Sequence, residues 1–207
     1  MKILLASNNA KKAKELDAIL TQTGIDNVEV LSLAEVPAYP EPIENGRTFA
    51  DNALLKARAG VEHTGLITLA DDSGITVEEL HGCPGVLSAR WAGTHGDDAA
   101  NNQLLLQQLH DVPDERRQAA FVSVCALVTP TGEEYVVEGK WEGWLLREPQ
   151  GEHGFGYDPL FLPQEEIDNG QRRSSACLSP EEKNAISHRA RALQTLMPIL
   201  AKLAESA

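Results

Sequence analysis

Along the first part of the chain, segments with the apolar pattern of a strand alternate with a segment that has helical spacing of its apolar positions. Residues 2–6 form a short apolar run that ends at a polar segment, which is the pattern of a buried strand. Residues 13–20 then carry apolar side chains at helical spacing, and Gly24 ends this predicted helix. A second strand is predicted over residues 28–33. The chain is therefore expected to begin as strand, polar loop, helix and strand.

The next part of the chain predicts one helix and two strands. Thr48 and Asp51 form a shortened capping box at the start of the helix. Residues 66–70 form an apolar strand that leads directly into Asp-Asp-Ser-Gly at residues 71–74, and residues 75–80 predict another strand. One interpretation of residues 71–74 is an acidic turn in which the glycine supplies a positive φ.

The second half of the chain predicts a hairpin and a closing core helix. Residues 119–128 and 135–141 flank a Pro-Thr-Gly turn, and the first of these segments is apolar on both faces, as expected for a strand in mid-sheet. Ser179 and Glu182 form a capping box, and residues 193–203 carry an apolar stripe at helical spacing. The order of elements predicts an α/β fold in which helices cover a mixed sheet.

Composition limits the domain count, the compartment and the partners. The 207 residues contain no linker, repeat or low-complexity run, so we expect a single domain over residues 1–207. No segment approaches the roughly 20 apolar residues of a membrane span, and the apolar start is too short for a signal peptide. Three cysteines without a Cys-x-x-Cys spacing suggest a reduced cytoplasmic location, and a net charge of −13 argues against nucleic-acid binding.

The polar segment after the first strand is a candidate phosphate site. It contains Ser7, Asn9 and Lys12 between a strand end and a predicted helix start, where backbone N–H groups are free to bind an anion. The segment is not a Walker A loop, because the glycines and the Lys-Ser/Thr pair are missing. A polar turn with a solvated lysine is an equally good interpretation of this segment alone.

Asp71 and Asp72 are candidate metal ligands. Adjacent acids at a strand end are costly to bury unless they are paired or bind a cation. Magnesium suits a site with few carboxylates that is completed by phosphate oxygens. Glu44, in the loop before the Thr48 helix, is a possible second carboxylate, although taken alone it is more typical of a surface acid.

Two further segments could hold a base. The glycines on either side of Phe155 permit close approach of a flat ligand, although a turn with core aromatics fits equally well. A basic cluster stands out between residues 183 and 189 of this acidic chain. On one straight helix Arg189 would lie on the far side from Lys183, so we favour a helix break at which Ser187 caps a new helix.

Four motifs follow one another in a specific order. They are Ser-x-Asn-x-x-Lys from Ser7, Asp-Asp-Ser-Gly from Asp71, Gly-Phe-Gly-Tyr-Asp-Pro from Gly154 and Ser-His-Arg from Ser187. Together they resemble the inosine/xanthosine triphosphate pyrophosphatase family, which clears non-standard purine nucleotides. The family usually has Thr first and Gly before the Lys of the first motif, whereas this chain has Ser7 and Lys11.

This resemblance implies a long, mixed, twisted sheet flanked by helices, a homodimer, and magnesium. It implies that the chain hydrolyses inosine, deoxyinosine and xanthosine triphosphates to the monophosphate and pyrophosphate. Glu44 and Asp72 match the metal-associated acids, Asp72 also matches the proton acceptor, and Ser73 matches a substrate contact. The triphosphate-binding positions are Ser7, Asn8, Asn9, Ala10, Lys11 and Lys12. The nucleotide and base pocket positions are Phe155, Gly156, Tyr157, Asp158, Lys183, His188 and Arg189.

Two other functions remain compatible with these residues. A phosphomonoesterase would use Asp71 or Asp72 as nucleophile and release inorganic phosphate. A nucleotide sensor would bind without turnover, which the clustered acids beside a phosphate loop disfavour. The phosphate product formed from inosine triphosphate and magnesium separates the three.

Overall fold

A computed structural model describes residues 1–7, 16, 19–21, 25 and 27–205 of the chain. Its strands are β1 Lys2–Leu5, β2 Glu29–Ser32, β3 Ile67–Val77, β4 Gln118–Val128, β5 Glu134–Leu145 and β6 Phe161–Pro163. Its helices are α1 Phe49–Thr64, α2 Asp98–Gln108, α3 Gln164–Asp168, α4 Pro180–Ile186 and α5 His188–Glu205. Residues 16 and 19–21 also have helical backbone, as predicted.

The strands form one six-stranded sheet in the order β2-β1-β3-β4-β5-β6. β1 is parallel to β2 and to β3, whereas β6 is antiparallel to β5, so the sheet is mixed. β4 lies inside the sheet and ten of its eleven residues are buried, which confirms the position predicted from its apolar faces. The predicted α/β class with a mixed sheet and helices is therefore confirmed.

The chain divides into two compact units. Unit 1 contains residues 1–72, 123–139 and 189–207, and unit 2 contains residues 73–122 and 140–188. The expectation of a single domain stays a prediction. Among the described residues, no helix combines the length and the apolar character that crossing a membrane requires.

The core of unit 1 is built from strand residues and the predicted stripe on α5. Ile3, Leu69 and Leu127 are buried in one cluster with the α5 side chains. The buried stripe on α5 comprises Leu193, Leu196, Met197 and Leu200. Helical periodicity near the end of the chain therefore identified the element that covers this core.

The core of unit 2 is aromatic and holds a buried arginine. The rings of Phe121, Trp141 and Phe161 form a mutually contacting cluster, in which the Phe121 centroid lies 6.3 Å from that of Trp141 and 4.7 Å from that of Phe161. Arg117 is 2% exposed, and its guanidinium donates to the carbonyl oxygens of Leu109, Leu145 and Leu146 at 2.7, 2.9 and 2.9 Å. These bonds join the end of α2 to the end of β5, a role that the sequence did not reveal.

Residues 71–74 do not form the turn proposed as one interpretation of the sequence. They lie inside β3, an eleven-residue strand, so the two strands predicted over residues 66–80 are one. Gly74 does not have a positive φ. A Cβ atom at Gly74 would clash with the Ser88 hydroxyl and would lie 2.7 Å from the carbonyl oxygen of Gly85. The glycine is required by close packing rather than by backbone conformation.

Candidate active site

Two carboxylates of unit 1 converge on one ammonium group. Lys56, on α1, lies with Nζ 2.8 Å from Oε1 of Glu44 and 3.6 Å from Oδ1 of Asp72. Burial opposes the charge on Lys56, but Asp72 and Glu44 raise its pKa above the ordinary value. Lys56 therefore stays charged, and its ammonium group holds the carboxylates of Glu44 and Asp72 close to one point.

Asn52 fixes the second oxygen of Asp72. Its side chain is buried, and Nδ2 donates to Oδ2 of Asp72 at 3.0 Å while Oδ1 accepts from the backbone N–H of Gly46 at 2.8 Å. Asn52 thus connects the Glu44 loop to β3. The prediction did not assign Asn52 a role, although it lies four residues before Lys56 and therefore on the same face of α1.

Asp72 has the electrostatic setting of a proton acceptor. Burial is the largest effect and raises the pKa of Asp72, opposed by Lys56 and by the Asn52 hydrogen bond, with smaller increases from Glu44 and Asp71. A carboxylate with a raised pKa is a stronger base than one at the ordinary value.

The donor set suits a magnesium ion that is also held by phosphate. Glu44 and Asp72 supply carboxylate oxygens that already face a cation, the Lys56 ammonium. Within the described part of the chain there is no group of three or more His, Cys, Asp or Glu residues that could hold a metal. Two carboxylates are too few for an all-protein cage, and magnesium commonly completes its shell with water and substrate phosphate.

The predicted triphosphate loop lies largely outside the described residues. This applies to Asn8, Asn9, Ala10, Lys11 and Lys12. Ser7 is described, and its backbone N–H donates to the carbonyl of Leu5 at 2.8 Å. The register pairs Leu5 with Leu69, so the carboxyl end of β1 lies beside the part of β3 that leads to Asp71.

The helix break predicted near Ile186 is present. α4 ends at Ile186, α5 begins at His188, and Ser187 between them has an extended backbone with φ −66° and ψ 160°. This is the backbone conformation of an N-cap residue. Arg189, in the first turn of α5, lies with Nη2 3.5 Å from Oδ2 of Asp71, and both side chains are largely buried.

Unit 2 contains a pocket that brings together most of the predicted base-binding residues. Ser73 and Phe155 line it, together with Asp98 from α2 and Phe121 from β4. The predicted positions that line it are Ser73, Phe155, Gly156, Tyr157, Asp158, Lys183 and His188. Phe155 is 58% exposed, as expected for a ring that stacks on a ligand.

Asp158 lines the pocket, but its carboxylate is held by three donors of unit 2. The residue is 1% exposed, and its carboxylate accepts from the Ser175 hydroxyl at 2.8 Å, the Phe155 N–H at 2.8 Å and the Lys183 ammonium at 2.5 Å. Lys183 Nζ in turn lies 5.1 Å from the centroid of the Phe155 ring. This geometry favours a role for Asp158 in organising hydrogen-bond donors over a role in accepting a hydrogen bond from the base.

Two other pocket residues have structural partners in unit 2. The Tyr157 hydroxyl donates to the carbonyl of Ser88 at 2.8 Å, and burial, followed by the charge of Asp98, raises the pKa of this phenol. The His188 ring stacks on Phe121, with centroids 5.0 Å apart and planes inclined by 15°. Phe121 could not be identified from local sequence, because it has the pattern of any apolar residue in a buried strand.

The chain is similar to known proteins over nearly its whole length. It is 69% identical to a dITP/XTP pyrophosphatase of Corynebacterium glutamicum, over 99% of this chain and 98% of that protein. A crystal structure of a nucleoside-triphosphatase, dITP/XTP pyrophosphatase, from Mycobacterium abscessus is 60% identical, covers 97% of this chain and 100% of that chain, and has a TM-score of 0.81. A HAM1 protein from Coxiella burnetii is 40% identical, covers 98% and 99% of the two chains, and has a TM-score of 0.87.

The family model for the Ham1 family matches residues 3–199. This match includes all four motifs that carried the resemblance, from Ser7 to Arg189. The resemblance is therefore confirmed, and the chain belongs to the Ham1 family.

Proposed function

We propose that this protein hydrolyses inosine, deoxyinosine and xanthosine triphosphates to the nucleoside monophosphate and pyrophosphate. The observation that carries the proposal is the convergence of Glu44 and Asp72 on one cation, with Asp72 fixed by Asn52. The proteins named dITP/XTP pyrophosphatase that share 69% and 60% of their aligned residues with this chain support it. A pocket lined in part by an exposed aromatic ring supports a flat base as part of the substrate.

Magnesium is the proposed cofactor, held by Glu44 and Asp72. When bound, it would neutralise phosphate oxygens and so lower the cost of the charge that develops in the transition state. The Lys56 ammonium and Lys12 are expected to neutralise other phosphate oxygens. Asp72 accepts a proton from the attacking water while the water oxygen forms a bond to the α-phosphorus. The bond from the α-phosphorus to the bridging oxygen breaks, and pyrophosphate leaves with that oxygen.

The base pocket is proposed to read the 6-oxo edge of the purine. Hypoxanthine and xanthine present an acceptor at O6 and a donor at N1, whereas adenine reverses both. His188 and Arg189 are the proposed donors to O6. A buried polar group without a partner costs about 1–3 kcal/mol, so two reversed contacts would reject adenine strongly.

The nucleoside triphosphate is the small-molecule partner in this proposal, and the protein is proposed to act as a homodimer in the cytoplasm. The described cysteines Cys83, Cys125 and Cys177 form no disulfide bond with one another, which supports a reducing compartment. The acidic net charge of −13 supports the expectation that nucleic acid is not a partner.

The reaction should require magnesium and release pyrophosphate. With inosine triphosphate, a chelator should abolish turnover and excess magnesium should restore it, because the two carboxylates and the triphosphate repel one another without a bridging cation. Ion-exchange separation of the phosphate products provides the measurement. Release of inorganic phosphate alone would support the phosphomonoesterase, and binding without any product would support the sensor.

Arg189→Ala should narrow the preference for inosine over adenosine triphosphate. Loss of a charge-assisted donor to O6 is expected to cost inosine triphosphate roughly 2–3 kcal/mol in kcat/KM, while the slow turnover of adenosine triphosphate changes little. The measurement is kcat/KM for both nucleotides at fixed magnesium and salt. Arg58→Ala is the control, because Arg58 is an exposed arginine paired with Glu134. An equal loss for both nucleotides would make Arg189 a phosphate or structural contact.

A further inference from the structure

The exposed ring of Phe155 is carried by a short segment with unusual backbone freedom. The glycines on either side of it, Gly154 and Gly156, have φ values of 83° and 61°, in the left-handed region that favours glycine. A ring on such a segment would sample many orientations unless other groups hold the backbone. Stacking contributes to affinity only to the extent that the ring is already in place when the ligand arrives.

Two side chains of α2 hold the peptide groups of Gly156 on both sides. Oδ2 of Asp98 accepts from the N–H of Gly156 at 2.7 Å, and Nδ2 of Asn102 donates to the carbonyl oxygen of Gly156 at 2.7 Å. Asp98 and Asn102 are four residues apart on the helix and therefore share one face. The hydrogen bond from the Gly156 N–H to the Asp98 carboxylate is charge-assisted, which makes it stronger than a neutral one.

The orientation of the Asn102 amide is fixed by its partners. Nδ2 also donates to the carbonyl oxygen of Asp98 at 2.8 Å, so both of its partners are carbonyl oxygens and only the nitrogen can face them. Oδ1 of Asn102 is buried, and among the described residues it has no hydrogen-bond partner. The contact to Gly156 is thus made even though it leaves the other end of the amide unsatisfied, which costs free energy.

We propose that Asp98 and Asn102 are positioning residues for base recognition, which hold Gly156 so that the Phe155 ring is preorganised as the stacking surface of the base pocket. This inference rests on the proposed function and adds α2 to the elements that determine affinity for the base. Asp158 holds the N–H of Phe155 from the other side, so the segment is fixed at consecutive peptide groups. Asn102 positions Phe155 without itself lining the pocket.

The proposal separates binding from chemistry. Because Phe155 is expected to contact only the base, loosening the segment that carries it should weaken binding of every ligand that carries hypoxanthine and leave the hydrolytic step alone. Asn102→Asp keeps the shape of the side chain but cannot donate to the Gly156 carbonyl. We expect it to raise KM for inosine triphosphate about tenfold, which is the loss of one such hydrogen bond, with kcat almost unchanged. Asn102→Ala should show the same rise in KM and the same small change in kcat.

The test uses inosine monophosphate as a second probe, titrated calorimetrically into the full chain without magnesium. Its Kd should rise by the same factor as KM, in a measurement that needs neither metal nor turnover. Asp98→Ala should also weaken binding, and Asp98→Asn should bind more tightly than Asp98→Ala, because an amide oxygen can still accept from Gly156. Asp97→Ala is the matched control, since Asp97 caps α2 by accepting from the Ala100 N–H at 3.0 Å and should affect only stability.

The outcomes distinguish this proposal from the proposed function. Wild-type protein that binds inosine monophosphate but does not hydrolyse the triphosphate would contradict the function alone. Asn102 variants that are folded by circular dichroism and bind inosine monophosphate as tightly as wild type would overturn the positioning role of Asn102. A fall in kcat without a rise in KM would overturn it too. An equal rise in Kd for Asp97→Ala would show that helix stability, not the contact to Gly156, is responsible.

Discussion

Asp72→Asn should lower kcat for inosine triphosphate by about 10²–10⁴-fold, the range for removal of a general base, with a much smaller change in KM. An amide cannot accept the proton of the attacking water and is a weaker ligand for magnesium. The side chain keeps its shape, so Asn52 and Lys56 retain a neighbour of the same size. Steady-state kinetics at saturating magnesium provide the measurement.

Asp71→Asn is the matched comparison for this variant. Asp71 is the neighbouring aspartate of β3, but it faces Arg189 at 3.5 Å, whereas Asp72 faces Lys56 and Asn52. We expect a smaller loss in kcat for Asp71→Asn than for Asp72→Asn. Wild-type kcat in Asp72→Asn would remove Asp72 from the chemical step, and equal losses in the two variants would mean that neither carboxylate has a distinct role.

Arg117→Met should lower the free energy of unfolding by about 3 kcal/mol or more. The substitution leaves the carbonyl oxygens of Leu109, Leu145 and Leu146 without their donor, and each unsatisfied buried group costs about 1–3 kcal/mol. Relief of the cost of burying a charge offsets part of this loss. Urea denaturation followed by circular dichroism measures the change.

Arg147→Met is the control for the buried arginine. Arg147 also donates to backbone carbonyls and pairs with Asp114 at 2.7 Å, but its side chain is 50% exposed. Exposed ion pairs contribute less than about 1 kcal/mol, so its loss should be small. If Arg117→Met and Arg147→Met lose stability equally, the loss in Arg117→Met does not arise from the burial of its hydrogen bonds.

Strands and helices were predictable where one pattern of apolar positions continued through the whole element. The α5 stripe, the Thr48 cap of α1 and the apolar faces of β4 follow from local spacing alone, and the structure has all three. β3 was divided wrongly into two strands and a turn, because two acids and a glycine inside a strand have the local pattern of a turn. What Gly74 packs against is Ser88, a partner that local sequence does not reveal.

The candidate site was predictable where a motif carried it and not where a distant contact did. The resemblance identified Glu44 and Asp72, which the structure places around one lysine, and their roles stay proposals. Asn52, Asn102 and Phe121 were not identified, because each acts through a residue at least 20 positions away in the chain. The break at Ser187 was predicted because one straight helix would place Lys183 and Arg189 on different faces.

The most direct test of the proposed reaction is hydrolysis in ¹⁸O-labelled water with magnesium, followed by mass spectrometry of the products. The proposal predicts that inosine triphosphate yields inosine monophosphate carrying one ¹⁸O atom, together with unlabelled pyrophosphate, because water attacks the α-phosphorus. Adenosine triphosphate under the same conditions should be turned over far more slowly. Formation of inosine diphosphate with labelled inorganic phosphate, or equal turnover of both nucleotides, would contradict the proposal.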